Sequence, residues 1–369
     1  MRIFLLLLFF CSILASCKKE SKESDIVTEN RIDSLETINK EVQAPLIPGK
    51  HKVSNEDFEE TIELEGKVMP VKPVFRVSES QMIATDSILF LKNRKDNFWF
   101  MAFSLPDLKH KKTFGVNGKG PNEFIFPRLV PTSTQKKFPY VYDNGKFYSV
   151  KPSLKIERIS PNLSMKAKAY DNKQISVFND SLFYYVQTIN NTKAIFKYQV
   201  LQDTSYSSQV FDLAFSDDYN SWAAYIGDFG VNYEKQRMVY AYKYFKRIMF
   251  MDLQNNTRRM LLFDKGKPKS GNARSMLSPE NITYYWGISP RKNHVYFLYS
   301  GRTPIKVHNE KKAGNEYIFV EQYDWNGNLI NRFKLDHWGY FCVNKDETKI
   351  FLLSTVSPDP FIVYDLPQK

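Results

Sequence analysis

From about Val53 onward, apolar residues come in short bursts rich in aromatic and β-branched side chains, separated by turn residues. Ser87–Leu91 precedes Phe98–Phe103, and Leu182–Val186 precedes Ala194–Tyr198. Tyr140–Tyr142 and Lys146–Val150 flank Asp143-Asn144-Gly145, a strong two-strand hairpin signal. Ile248–Asp252 and Arg259–Phe263 flank Asn255-Asn256, and Val295–Tyr299 precedes Tyr317–Val320. Asp324–Asn328 reads as another hairpin tip, and Lys349–Leu353 leads to Phe361–Tyr364. Runs this short, with almost no long helical periodicity, predict β-strands. Without crossover helices the strands must pair antiparallel.

More than three hundred residues of such strands exceed one sandwich, and an open sheet of that size would expose its edges. Radial repetition removes that liability. The bursts group into about six units of about fifty residues, each with room for four strands, the period of propeller blades. The expected fold is therefore all-β: a six-bladed β-propeller of four-stranded antiparallel blades. Thr61–Glu65 is a lone alternating strand near the N-terminus. It is expected to complete the last blade beside the C-terminal strands and lock the ring.

The chain has 369 residues, 43% hydrophobic and 15% aromatic, with 29 Phe and 22 Tyr. This composition supports a sizeable core and favours pleated, half-buried surfaces. The formal charge of +12 invites acidic partners. The cations are dispersed, however, and runs such as Lys109–Lys112 and Lys265–Lys269 are short. They read as solvated loops and strand edges rather than a nucleic-acid footprint.

The N-terminus adds an address. Arg2 precedes the apolar run Ile3–Leu14, too short to span a bilayer comfortably and the right length for a signal segment. Leu14-Ala15-Ser16-Cys17 follows and resembles the lipobox of bacterial lipoproteins. The resemblance implies cleavage before Cys17 and lipidation of its sulfur, with stable anchoring from several acyl chains. Residues 1–16 are then a signal peptide, 17–52 a lipidated cysteine with a polar, flexible tether, and 53–369 the propeller. Of three cysteines only Cys342 remains in that domain. It lies in an apolar strand-like run, where a buried small hydrophobe is expected. An exported chain meets neither cytosolic nucleic acid nor free ATP.

Phe114–Phe124 reads FGVNGKGPNEF and at first suggests a phosphate cradle. Gly115, Gly118 and Gly120 give G-x-x-G-x-G, the wrong order for a dinucleotide fingerprint, and Pro121 follows at once. No Lys-Ser/Thr pair follows a glycine, so the P-loop fails too. Glycines supply positive φ and close backbone approach, suited to a tight passage from an outer strand to the next blade's inner strand. Gly118-Lys119-Gly120-Pro121-Asn122-Glu123-Phe124 resembles the G-x-G-P-x-E-F signature of the TolB-like six-bladed β-propeller lipoproteins of Bacteroidetes. Tyr285–Pro290 with His294–Gly301 resembles that family's penultimate blade. Val320–Asn328 and Phe361–Leu366 resemble its last strands. The likeness covers about residues 55–369 and carries no catalytic residues with it. Glu123 is read as a carboxylate satisfying backbone N–H groups of the turn.

Candidate chemistry is sparse. None of the five histidines forms a short zinc motif, and no metal or cofactor is expected. His337-Trp338, in a loop, could line a pocket. Asp217-Asp218 could bind calcium or act as acid and base. Trp222 and Tyr284-Tyr285-Trp286 offer platforms for sugar rings. No G-x-S-x-G elbow is present. The favoured reading is a lipid-anchored, monomeric binding or scaffold module for an envelope protein or glycan. The alternative is a polysaccharide lyase or glycosidase working at the central channel. Lys18-Lys19-Glu20-Ser21 lacks an acidic export run, which favours the periplasmic face of the outer membrane over the cell surface.

Overall fold

The computed structural model describes residues 44–77, 81–132, 138–159, 174–201, 204–263 and 272–368, all within one compact unit, Lys40–Lys369. Three strands come first: β1 (Gly49–Val53), β2 (Glu60–Leu64) and β3 (Lys67–Met69). Six sheets follow. Blade 1 holds β4 (Gln81–Ala84), β5 (Ile88–Lys95), β6 (Phe98–Ser104) and β7 (His110–Val116). Blade 2 holds β8 (Arg128–Val130), β9 (Tyr140–Asp143), β10 (Lys146–Val150) and β11 (Ile156–Arg158). Blade 3 holds β12 (Ile175–Asn179), β13 (Leu182–Ile189), β14 (Thr192–Val200) and β15 (Ser205–Asp212). Blade 4 holds β16 (Gly227–Asn232), β17 (Arg237–Tyr242), β18 (Arg247–Asp252) and β19 (Arg258–Phe263). Blade 5 holds β20 (Thr283–Pro290), β21 (His294–Arg302), β22 (Ile318–Asp324) and β23 (Leu329–Leu335). Blade 6 holds β24 (Gly339–Val343), β25 (Lys349–Ser354) and β26 (Phe361–Asp365), with β3 as its fourth strand. The all-β six-bladed propeller is the observed architecture.

The apolar bursts are continuous rather than alternating because each blade is covered on both faces. In β17, Met238, Tyr240 and Tyr242 pack toward blade 3, whereas Val239 and Ala241 pack toward blade 5. Successive side chains point to opposite faces of a strand, so one run feeds two cores. Six hydrophobic clusters result, one in each seam between adjacent blades. Asn144 and Gly145 both take positive φ, 45° and 82°. They turn β9 into β10 as the Asp-Asn-Gly signal requires.

The N-terminal segment closes the ring, and does so over three blades. β1 runs parallel to β19, and β2 parallel to β23, each as a fifth, outermost strand. β3 pairs antiparallel with β26 and completes blade 6. The strand predicted at Thr61–Glu65 therefore extends blade 5, and its successor makes the closure. Gly66 lies between them, where an added Cβ would sit 2.3 Å from Ile362 Cγ2. The segment also begins earlier than its polar composition suggests. Leu46 is buried in the seam between blades 4 and 5, and Arg237 Nη2 donates to Ala44 O at 3.1 Å. Residues 44–52, assigned to the tether, thus pack on blade 4 and into its seam with blade 5, held by partners far away in the sequence. The one helix of more than a single turn among the described residues is α1 (Pro304–Lys312), inserted between β21 and β22. Thr303 caps it by accepting from Lys306 N, and Pro304 opens it, a start signal readable in the sequence.

Candidate functional site

The innermost strands β4, β8, β12, β16, β20 and β24 border a central cavity of about 840 Å³. That falls within the ~300–1,000 Å³ typical of small-molecule sites. At one mouth, where the inner strands turn back, stand Asp86, Glu234, Lys292 and Lys345. Asp86 and Lys345 pair at 2.6 Å. Arg291 is anchored to the Val343 carbonyl, and burial holds its guanidinium below the usual range.

The second mouth lies where the inner strands begin, and it is richer. The β17–β18 hairpin inserts between β16 and β20: Lys243 N donates to Ile226 O, and Tyr284 N to Lys243 O, each at 2.8 Å. Lys243 Nζ then stands 5.0 Å from the centroid of Trp286 and 5.7 Å from that of Tyr244. Burial lowers the Lys243 pKa, and Asp228 on β16 restores part of it. Gln174 hangs its amide on the Gly227 carbonyl, while its buried Oε1 has no hydrogen-bond partner. Trp286 meets Trp338 edge to face at 5.7 Å, and Trp338 meets Tyr340 at 5.4 Å. An aromatic wall therefore runs from the channel to α1, where Lys311 Nζ lies 4.5 Å from the Trp338 ring. Burial raises the neighbouring Glu316 carboxyl, with partial relief from His337 and Lys311.

A family model described as TolB-like 6-blade propeller-like matches residues 57–346. The chain belongs to that family. Two solved structures show what this TolB-like chain is similar to. A member of the DUF4221 family from Bacteroides vulgatus aligns with a TM-score of 0.57 at 16% identity, covering 82% of this chain and 98% of its own. An exported-protein candidate from Bacteroides fragilis aligns with a TM-score of 0.53 at 11% identity, covering 84% of this chain and 99% of its own. At such identities the likeness shows the fold alone. No curated protein matches.

In this TolB-like propeller the glycine motif joins β7 to β8, outer strand to next inner strand. Gly120 N donates to Glu123 Oε2 at 2.8 Å, and Gly118 N to Phe124 O at 3.1 Å. Gly115 takes φ +76°, and a Cβ on Gly118 would fall 2.0 Å from Glu123 Oε2. Pro121 sits at the exposed tip. Phe124 is buried against Phe100 and Tyr148, and its carbonyl accepts from Trp99 Nε1 at 2.8 Å. The loop's donors are thus turned on its own atoms and its neighbours.

The remaining candidates are spread out. Trp338 joins the aromatic wall, whereas His337 Nδ1 lies 2.8 Å from Asp336 Oδ1. Burial would raise Asp336, but His337, Tyr364 O–H and Gly66 N–H outweigh it and hold the carboxyl below its usual range. Asp217 and Asp218 sit in an exposed turn in which Asp218 binds Ser216 Oγ at 3.0 Å. Trp222 packs on the blade 3–4 core beneath Lys193, 5.9 Å from its ring. Neither acid nor Trp222 borders the channel. Cys342 is buried, and that burial pushes its thiol up to about 12. Cys17 lies outside the described residues. Among the described residues no three His, Cys, Asp or Glu side chains cluster as metal ligands would. Sequence reasoning missed Lys243 and Gln174. The signal for the first was Tyr242-Lys243-Tyr244-Phe245-Lys246, cations interleaved with rings at a hairpin tip.

Proposed function

We propose that this chain is a lipid-anchored envelope propeller, held at Cys17 and acting as a non-catalytic binding module whose ligand enters the central channel. The carrying observation is the second mouth, where a large cavity, aromatic faces and an unpaired buried acceptor converge. Convergent polar groups on an apolar wall are the marks of a binding pocket. Anchoring rests on the Leu14–Cys17 motif, and the likeness to an exported-protein candidate supports an envelope address. Attachment to the outer membrane facing the periplasm is our reading of the residues after Cys17.

The enzyme alternative needs two carboxyls set across a sugar. Of the channel-wall carboxyls, Asp86 is tied to Lys345 and shares the first mouth with Glu234, whereas Asp228 acts on Lys243 across the second mouth, which favours binding over cleavage. The test is titration of the detergent-solubilised full chain with a panel of soluble glycan fragments, beside Ile288→Trp, which fills the channel. At least one fragment should bind the native chain and not the variant, without turnover. Equal binding to both proteins, or none to either, contradicts the channel reading. Radiolabelled fatty acid should enter the native chain and not Cys17→Ser.

A further inference from the structure

Two lysines leave the same hairpin, and the fold treats them differently. Lys246 is buried over Phe263 and Tyr299, 4.0 and 4.3 Å from their centroids. It is also answered: Glu321 Oε1 lies 3.4 Å from its ammonium, and Asn55 Oδ1 accepts from it. Lys243, three residues earlier, has the rings without the answer. Trp286 and Tyr244 flank its ammonium, and Asp228 on β16 acts on it only through space; among the described residues it has no hydrogen-bond acceptor and no carboxylate within ion-pair distance. Lys243 is half-buried rather than enclosed, and a cation partly stripped of water with no acceptor in reach is open to an anionic ligand. Lys246 shows what completes one here, namely a carboxylate.

The second observation lies beside it. The Lys243 backbone N–H donates to the Ile226 carbonyl and the Gln174 side-chain amide to the adjacent Gly227 carbonyl, so both residues are held at the same end of β16. Gln174 is 6% exposed, lines the channel, and leaves Oε1 unpaired. An occupant must therefore offer a carboxylate to Lys243, a hydroxyl or N–H donor to Gln174, and a flat apolar face to the rings. A peptide C-terminus meets them only by drawing on separate residues; a uronic acid carries all three on one ring, with its hydroxyls around the edge and its C–H face open to stacking. We propose that the second mouth of the channel is a subsite for a carboxylate-bearing sugar, with Lys243 as ion partner, Trp286 as stacking face and Gln174 as hydroxyl acceptor. This rests on the channel reading and names its ligand class.

The probe is trigalacturonate, titrated by calorimetry into the full chain in detergent, with galacturonate and neutral maltotriose alongside. Trigalacturonate should bind at least tenfold more tightly than maltotriose, and the affinity should fall as salt rises. Lys243→Met should weaken it at least tenfold while leaving the melting temperature nearly unchanged, since Lys243 makes no ion pair or side-chain hydrogen bond among the described residues and Asp228 acts on it only through space. Trp286→Leu should weaken both sugars, and Gln174→Leu trigalacturonate by a smaller factor. Tighter binding of the trimer than of galacturonate supports a chain end as ligand; equal binding supports the free sugar acid, and either supports the subsite. Trigalacturonate binding that ignores salt, survives Lys243→Met or is matched by maltotriose overturns the ligand class. A neutral glycan blocked by Ile288→Trp would then leave the channel reading standing, whereas a panel with no binder at all overturns both.

Discussion

Blades 4–6 and blades 1–3 are built from the same four-stranded unit but finished differently. The first half is strapped: β1, β2 and β3 lie along its outer edges, Leu46 and Phe58 plug the seam between blades 4 and 5, and Lys246 reaches Asn55 on the strap. Glu321 sits at 0% exposure in that half, accepting from Tyr285 and Tyr323 hydroxyls at 3.3 and 2.9 Å. The other half ends in the outer strands β7, β11 and β15; β11 and β15 are mostly exposed and polar or charged, and β7 exposes Lys111 and Lys112. Such residues blunt an edge without covering it. The difference shows two solutions to one problem: pairing the edge, which adds a seam and a buried ion cluster, or making it unattractive to pair. The Lys243–Trp286–Trp338 wall stands on the strapped half, where its backbone is held from outside as well as inside.

Breaking the strapped half should cost most. Glu321→Gln leaves Lys246 and Arg332 facing a neutral group in a dry site and should lower unfolding free energy by about 4 kcal/mol, read from denaturant melts. Phe58→Ala empties a site packed against Tyr323 and should cost about 3 kcal/mol. Phe126→Ala, on the open half and 72% exposed, should stay within about 0.5 kcal/mol. Equal losses at the two phenylalanines would erase the distinction between the halves. Gly118→Ala displaces Glu123 from its turn and should cost about 1 kcal/mol.

The smallest effect is a matter of pH. Burial would raise the Glu347 carboxyl, but His294, the Asn293 N–H and the Tyr296 O–H hold it below the usual range. Its folded pKa is therefore depressed, so its contribution is fully present above the unfolded value of about 4.3 and is lost as pH falls through the folded value. The melting temperature should drop on acidification through that window, and less so in Glu347→Gln. An identical acid profile in the variant would remove Glu347 from the account.

The strands of both halves were legible, because a blade covered on two faces writes its middle strands as unbroken apolar runs such as Leu89–Leu91 and Phe351–Leu353. The closing device was legible in kind. Its detail was hidden because β3 has only three residues and β1 is largely polar, so partners elsewhere in the fold decide their pairing. Of the mouth, Trp286 stood out as an aromatic platform and Trp338 as a loop aromatic, but nothing in the sequence says that they touch. Lys243 and Gln174 reach the same mouth because Ile226 and Gly227 offer them neighbouring carbonyls.

Native-state hydrogen exchange on the full chain tests the strap most directly. If the strap is part of the closed ring, the paired amides of β1, β2 and β3 exchange only through global unfolding, with the same free energy as those of β18 and β22. Exchange of β1–β3 at loop rates while β18 and β22 stay protected would contradict it.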